Sequence, residues 1–320
     1  MPDATPPRTL KTPAELIAAG LLPAAARAGA EDVAARYAIA VPPALAARIT
    51  APTDPLGLQF LPDPAELTLA PHESADPIAD DALSPLPGIV HRYPDRALLK
   101  PLLACPVYCR FCFRREQVGP DGGLLSAAQL EAAFDYLETH TGLREVILTG
   151  GDPLILSPRR LSALLKRLDA IPHIELLRIH TRVPVATPET ITPALLAALE
   201  TEKPLYIAVH ANHAAEFSPA SFAATRALTR QGIVLLGQSV LLKGVNDTEA
   251  ALAELFRTML RARIKPYYLH QLDPAPGTAR FHVPPERGRA LLAALRGHIS
   301  GTAFPTYILD RPGGLGKIPL

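Results

Sequence analysis

Tryptophan is absent from this chain of 320 residues, and cysteine (three residues) and methionine (two) are scarce. Basic and acidic residues almost balance, at 32 and 31, so we expect neither nucleic acid nor an anionic membrane as a partner. No run approaches the about 20 consecutive apolar residues of a membrane-spanning helix. The first eight residues lack the charged start and apolar run of a signal peptide. An apolar fraction of 48% is ample for the core of one large or two small domains.

All three cysteines lie between Cys105 and Cys112, with Cys109 between them, in the spacing Cys-x3-Cys-x2-Cys. An odd count with no partner elsewhere excludes a disulfide framework. Thiolates this close together can bind one metal centre, and a cluster of four irons normally uses four cysteines. Three ligands would leave one iron open for a substrate or cofactor. A zinc site with His91 as fourth ligand, or ordinary core cysteines, are the alternatives. Free thiols also favour a reducing cytoplasm.

Predicted strands and helices alternate along the chain from about residue 98. Strands are predicted at 98–104, 145–149, 174–180, 204–210, 234–240 and 265–270, with a final extended run at 304–309. The alternation indicates an α/β protein with a parallel sheet, which we interpret as a partial (β/α)6 TIM-like barrel. Polar motifs follow each strand, at the end where such barrels carry their chemistry.

The chain is expected to divide into four parts. Residues 1–75 are predicted to form a small helical region, with helices near 12–22, 31–38 and 43–49, and 76–97 an irregular approach segment. Residues 98–300 are predicted to form the barrel, and 301–320 a C-terminal segment.

The cysteine spacing resembles that of the radical S-adenosylmethionine superfamily. From about Asp76 to the C-terminus, the sequence resembles the lysine 2,3-aminomutase family, most clearly over 91–96 (HRYPDR) and 313–317 (GGLGK). The resemblance implies a barrel of the radical S-adenosylmethionine type with a [4Fe-4S] cluster on the three cysteines. It also implies S-adenosyl-L-methionine and pyridoxal 5′-phosphate as cofactors. The implied activity is that of an isomerase interconverting L-lysine and β-lysine.

The resemblance assigns further residues to the two organic cofactors. Gly150, Gly151 and Asp152 match the strand end that receives the amino group of S-adenosylmethionine, and Gln238 matches a residue that contacts the same cofactor. Phe111 stands where aminomutases often carry histidine.

The glycine-rich segment 310–317 matches the segment whose lysine, here Lys317, binds pyridoxal phosphate through its amine. Arg92, Tyr93 and Arg96 match the segment that contacts this cofactor. Arginine suits a phosphate because its guanidinium is always charged and can bind two oxygens at once.

Three charged residues match the family's substrate-binding positions. Arg114 corresponds to the arginine that pairs with the α-carboxylate, and Asp273 and Asp310 to the aspartates that hold the ε-ammonium of lysine. Acids facing a substrate cation are the expected electrostatic complement in a dry cavity. Both aspartates are expected to lie at the far end of the substrate, away from the cofactor.

Other functions are compatible with the same sequence. One alternative is a relative that makes β-lysine for elongation factor P, another is an aminomutase for a different amino acid, and a third is a non-catalytic iron–sulfur protein. The resemblance also implies a reducing partner such as flavodoxin or ferredoxin, and a possible homo-oligomer. The extra cysteines with which some clostridial members bind structural zinc are absent here.

Overall fold

A single open sheet dominates the computed structural model, which describes residues 8–119, 121–311 and 316–320. Its strands in the described residues are β1 (Ile89–Tyr93), β2 (Arg96–Leu102), β3 (Glu145–Gly150), β4 (Leu176–Thr181), β5 (Leu205–His210), β6 (Val234–Val240), β7 (Lys265–His270), β8 (Thr306–Asp310) and β9 (Lys317–Pro319). They pair strictly in chain order. Strands β2 to β8 run parallel, while β1 and β9 pair antiparallel at the two edges. This order confirms the predicted α/β partial barrel.

Helices fill the connections between the parallel strands and form the N-terminal region. They are α1 (Pro13–Ala18), α2 (Arg27–Ala34), α3 (Pro43–Ala46), α4 (Pro55–Phe60), α5 (Ala127–Thr139), α6 (Pro158–Asp169), α7 (Val183–Ala186), α8 (Pro193–Ala198), α9 (Pro219–Arg230), α10 (Glu249–Arg261) and α11 (Pro285–Leu295). Helix α6 illustrates why they form: Ser157 caps its first turn, proline occupies the first helical position, and leucines 161, 164, 165 and 168 are buried along one face. No helix in the described ranges is long and apolar enough to cross a membrane.

Side-chain alternation divides each parallel strand between a core face and a cavity face. In β3, Val146 and Leu148 belong to the main apolar core, whereas Ile147 and Thr149 line the central cavity. The period of two in a strand produces this division directly. Strand β4 shows the same alternation, because Leu176, Arg178 and His180 line the cavity while Leu177 and Ile179 belong to the core.

The N-terminal helices carry a second apolar core of their own. It includes Leu16, Leu45 and Phe60, and it extends to Val107 in the cysteine loop and Ala186 after β4. The helical region thus supports the loop that carries the cysteines.

Several local predictions were wrong, mostly at the ends of elements. Strand β1 lies within the segment predicted to be irregular, because residues 94–95 form a tight turn that folds 89–93 back onto β2. The helix predicted at 31–38 begins earlier, at Arg27, and ends at Ala34. The first barrel strand starts at Arg96 rather than at residue 98. Residues 1–7, where no signal peptide was predicted, and 312–315, within the glycine-rich segment, lie outside the described residues.

Candidate active site

One cavity of about 660 Å³ lies inside the partial barrel and extends along its strands, from Arg96 at the start of β2 to Asp310 at the end of β8. Every site residue predicted from the sequence lines this cavity: Cys105, Cys109, Cys112, Arg92, Tyr93, Arg96, Gly150, Gly151, Asp152, Gln238, Arg114, Asp273, Asp310 and Lys317. These residues come from strands and loops far apart in the chain, and the fold brings them to a single space.

Backbone hydrogen bonds fix the cysteine loop against neighbouring elements. The amide of Cys105 donates to Gly119 at 3.0 Å, and the amide of Arg110 donates to Gln59 in α4 at 2.9 Å. The amide of Cys112 donates to the carbonyl of Cys109 at 3.1 Å, which closes a tight turn between the two thiols. The loop is therefore held from both the barrel and the N-terminal helices.

The three thiols lie in surroundings that disfavour a bare thiolate. Burial raises the pKa of Cys105 and of Cys109, and burial together with Cys109 raises the pKa of Cys112 to about 11. Arg182 offsets part of this at Cys109, whose sulfur accepts a hydrogen bond from Nη1 at 3.3 Å. Thiols in such a site become thiolates when a bound metal supplies the positive charge.

The described residues contain no group of three or more His, Cys, Asp or Glu side chains arranged around a single ion. A cluster of four irons requires a different ligand geometry from a single ion. Each cysteine binds a separate iron, so the three sulfurs need not converge on one point. Three cysteines on one cavity wall fit a cluster with one open iron better than they fit a zinc ion held with His91. His91 instead contacts the hydroxyl of Tyr136, at 2.7 Å from Nδ1.

Gly150 and Gly151 allow β3 to approach the chain that precedes Cys105. A Cβ atom on Gly151 would lie 1.9 Å from the carbonyl oxygen of Ala104, and Gly150 has a left-handed φ of +106°. No larger residue fits at position 151 without moving the cysteine loop. The glycines therefore set the distance between the end of β3 and the first thiol.

Asp152 is buried, and its carboxylate stabilises the end of β4 through hydrogen bonds. It accepts hydrogen bonds from the hydroxyl of Thr181 at 2.7 and 2.9 Å, from the amide of Arg182 at 2.7 Å and from the amide of Leu154 at 3.1 Å. The predicted contact between Asp152 and S-adenosylmethionine would have to use carboxylate oxygens that already accept these hydrogen bonds from the protein.

Arg182 is a buried residue for which the sequence suggested no role. Its guanidinium donates to Glu216 at 2.5 Å and to the side chain of Gln59 at 2.9 Å, besides its contact with Cys109. Only its place in a polar triplet after a strand could have pointed to it. Arg182 links a proposed cluster ligand to the N-terminal helices.

Lys317 and Asp310 face each other on the edge strands β9 and β8. The Nζ of Lys317 lies 2.5 Å from Oδ2 of Asp310, and Arg92 donates to Oδ1 of the same carboxylate. Burial raises the pKa of Asp310, but the cations of Lys317 and Arg92 outweigh it and hold the pKa below its usual range. Asp310 is therefore next to the proposed cofactor lysine, which corrects the expectation that it lies away from the cofactor.

The arrangement around Lys317 fits a phosphate-bearing aldehyde. Its side chain is 31% exposed towards the cavity, and its amide donates to the hydroxyl of Tyr93 at 3.2 Å. The guanidinium of Arg96 stacks 3.8 Å from the centre of the Tyr93 ring and is otherwise paired only with half-exposed Asp95 among the described residues. Arg92 is already occupied by Asp310 and the carbonyl of Ile78. Arg96 is thus the cation better placed to meet a phosphate.

Arg114 and Asp273 differ in how far the protein satisfies them. Arg114 is ion-paired with Asp80. The carboxylate of Asp273 accepts no hydrogen bond from the described residues, and burial, reinforced by Asp310, raises the pKa of Asp273 to about 7. Of the two predicted substrate aspartates, Asp273 has no side-chain partner among the described residues, whereas Asp310 is paired with Lys317 and Arg92.

Phe111 and three histidines complete the wall. The ring of Phe111 packs edge-on against His210, with centroids 5.6 Å apart. Burial lowers the pKa of His180 and His210 well below the usual range, and that of His270 to about 3. These imidazoles are neutral at ordinary pH, so they add no positive charge to the cavity.

Comparisons with known proteins agree with this site. A model of the radical SAM superfamily matches residues 99–256, and a lysine-2,3-aminomutase model matches residues 292–320. The chain is 40% identical to L-lysine 2,3-aminomutase of Acetoanaerobium sticklandii over 84% of its own length and 65% of that protein. It is 39% identical to a putative L-lysine 2,3-aminomutase of Aquifex aeolicus, over 84% and 73%. It is 36% identical to glutamate 2,3-aminomutase of Clostridioides difficile, over 83% and 63%. The chain spans just under two thirds of the first relative's length.

Proposed function

This chain belongs to the lysine 2,3-aminomutase family of radical S-adenosylmethionine enzymes, and we propose that it interconverts L-lysine and β-lysine by moving the α-amino group to C3. The observation that carries the proposal is that side chains for cofactor and substrate binding line the same cavity. Three thiols, a lysine amine, several arginines and a carboxylate without a partner among the described residues share it. An electron-transfer protein needs the thiols alone, so the other groups favour an enzyme.

The residues that would hold the cofactors come from different elements, the cysteine loop and strand β9. Cys105, Cys109 and Cys112 would bind a [4Fe-4S] cluster with S-adenosylmethionine at its open iron, and Lys317 would bind pyridoxal phosphate. When bound, these groups supply a radical that abstracts hydrogen and a ring that delocalises the unpaired electron. A reducing partner such as flavodoxin or ferredoxin would deliver the electron that the cluster needs.

The charged residues of the chain orient the amino acid. Arg114 would bind the α-carboxylate, because its guanidinium keeps a permanent charge in a buried place. Asp273 would bind the ε-ammonium, since that cation supplies the partner the carboxylate lacks. Asp310 can share the ammonium only when Lys317 releases its Oδ2 oxygen.

The apolar part of the wall limits access of water to the reacting carbons. Ile147, Leu236 and Val240 face the cavity from β3 and β6, and Phe111 faces it from the cysteine loop. A carbon radical needs such protection from side reactions.

Lysine is favoured over glutamate by the sign of the charges. A glutamate side chain would place a carboxylate near Asp273 and Asp310, where like charges repel, whereas lysine places a cation there. The test is to load the protein anaerobically with iron, sulfide, S-adenosylmethionine and pyridoxal phosphate, and to offer lysine or glutamate. We expect β-lysine from lysine and no β-glutamate. Turnover of glutamate alone would contradict the proposed substrate.

A further inference from the structure

Asp80 contacts the guanidinium of Arg114 at the wall of the cavity. One of its carboxylate oxygens, Oδ2, accepts hydrogen bonds from Nε at 2.8 Å and from Nη2 at 2.6 Å. Asp80 is only 5% exposed, and both residues line the cavity. We propose that Asp80 is a positioning residue that holds Arg114 in the orientation that receives the α-carboxylate of the substrate. This inference rests on the proposed function.

The contact leaves part of the guanidinium of Arg114 open. A guanidinium has five N–H donors in one rigid plane. Asp80 fixes Nε and Nη2, whereas Nη1 donates to no acceptor in the described part of the chain. An arginine fixed before the substrate arrives loses less rotamer entropy on binding. The carboxylate of an amino acid would therefore meet a donor whose direction is already set.

Asp80 is itself held in a structured turn. The two carboxylate oxygens of Asp76 accept the amides of Asp80 and Asp81, at 2.7 and 2.9 Å. The hydroxyl of Ser84 donates to the carbonyl of Asp80 at 2.7 Å. Ala79 has a left-handed φ of +58°, which is uncommon for a residue with a side chain. The carboxylate of Asp80 is thus carried on a turn with a defined geometry.

The same turn contacts a second arginine of the cavity. The carbonyl of Ile78 accepts a hydrogen bond from Nη2 of Arg92, and Nη1 of Arg92 donates to Asp310. Ile78 and Asp80 therefore contact the arginine proposed for the α-carboxylate and the one beside the Lys317 ion pair. A turn with two such contacts is well placed to orient one end of the substrate relative to the other.

An anion beside Arg114 can also act against the substrate, because Asp80 and the α-carboxylate repel each other. The geometry favours orientation, since a delocalised guanidinium that never loses its proton can serve two carboxylates through different N–H groups. The two effects predict opposite changes in affinity when Asp80 is removed.

The experiment compares lysine with 1,5-diaminopentane, which is lysine without its carboxylate. The affinity of the cofactor-loaded protein for each is measured by titration calorimetry under anaerobic conditions for wild type, Asp80→Ala, Asp80→Asn and Asp81→Asn. Asp81 is the matched control, because it is adjacent and exposed, and its carboxylate contacts only Gln117 in the described residues.

We expect Asp80→Ala to weaken lysine binding by about ten- to a hundredfold and to leave the binding of 1,5-diaminopentane unchanged. Asp80→Asn should lose less, because its amide oxygen still accepts from Nε, and Asp81→Asn should bind both ligands as wild type does.

Each other outcome contradicts the inference. Tighter binding of lysine to Asp80→Ala would make Asp80 a competitor of the substrate. Equal weakening for both ligands would give Asp80 a role only in folding. A wild-type protein that binds lysine no better than 1,5-diaminopentane would overturn the proposed role of Arg114 itself, and with it the inference. The proposed function fails separately, if wild type binds lysine but forms no β-lysine.

Discussion

The ammonium nitrogen of Lys317 lies 2.5 Å from Oδ2 of Asp310, and the two residues are direct partners across β8 and β9. The amine proposed to bind pyridoxal phosphate is therefore a paired cation in the structure described here. Asp310 is paired with the lysine proposed to bind the cofactor and with Arg92, and it is also a candidate partner of the substrate ammonium. Asp273 contacts neither Lys317 nor an arginine among the described residues. The two acids should respond differently to the same substitution.

Asp273→Asn is expected to lower lysine turnover and leave cofactor attachment intact. Loss of a charged hydrogen bond of about 1.5–3 kcal/mol corresponds to about ten- to a few hundredfold. The measurement is the ratio of lysine turnover to that of an analogue with an uncharged side chain, in wild type and variant. An unchanged ratio would mean that Asp273 does not bind the ε-ammonium.

Asp310→Asn should lower the same ratio and also shift the absorbance of the bound pyridoxal phosphate, because it removes the partner of Lys317.

The specificity constant for lysine should rise with pH through about 7. Below that pH the unliganded Asp273 is protonated, because burial and Asp310 raise its pKa to about 7, and a neutral acid does not attract the ε-ammonium. The ammonium of lysine stays charged over this range, and His270, with a pKa lowered to about 3, does not titrate in it. The measurement is kcat/KM from pH 5.5 to 8.5. The inflection near pH 7 should be absent in Asp273→Asn, and its persistence there would assign it to another group.

Iron content should depend on each of the three cysteines. After anaerobic reconstitution the protein should hold about four irons per chain, and Cys105→Ala, Cys109→Ala or Cys112→Ala should each lose most of them. The chain has no other cysteine that could replace a ligand. Iron and sulfide analysis with electron paramagnetic resonance of the reduced protein provides the measurement. Stoichiometric zinc without iron would contradict the cluster.

Most of the barrel could be predicted from sequence because its signals are local. Apolar strands alternate with capped helices, and a polar triplet such as His180, Thr181 and Arg182 marks a strand end without any tertiary information. The cavity residues were found because a family resemblance placed them. Strand β1 was missed because it is only five residues long, contains His91 and Arg92, and is followed directly by a turn at Pro94 and Asp95.

The partners of the charged residues could not be predicted, since they depend on distant contacts. Arg92 and Asp310 are 218 residues apart, and Asp80 and Arg114 are 34 apart. No pattern in the sequence states that Asp310 is paired with two cations while Asp273 has no partner in the described part of the chain. The same limit explains why Asp80 received no role from the sequence.

Gly316→Ala should displace Lys317 and reduce the covalent attachment of pyridoxal phosphate. Gly316 has a φ of +107°, and a Cβ atom there would lie 2.3 Å from the ring of Tyr93. Borohydride reduction followed by peptide mapping measures the attachment, which should fall in this variant and vanish in Lys317→Ala. Gly297→Ala is the matched control, with a φ of +81° but open space around the added carbon. Recovery of the cofactor on another lysine, such as Lys243, would contradict the assignment of Lys317.

The most direct test of the central claim follows the α-nitrogen of lysine. The fully loaded protein receives L-lysine labelled with nitrogen-15 at the α-position only, and the product is examined by nuclear magnetic resonance. We expect the label on C3 of β-lysine, no label on the ε-nitrogen, and no dilution by unlabelled ammonia in the buffer. Label found only on C2 of lysine after prolonged incubation, or a C3 amino group that takes its nitrogen from the buffer, would contradict a 2,3-aminomutase.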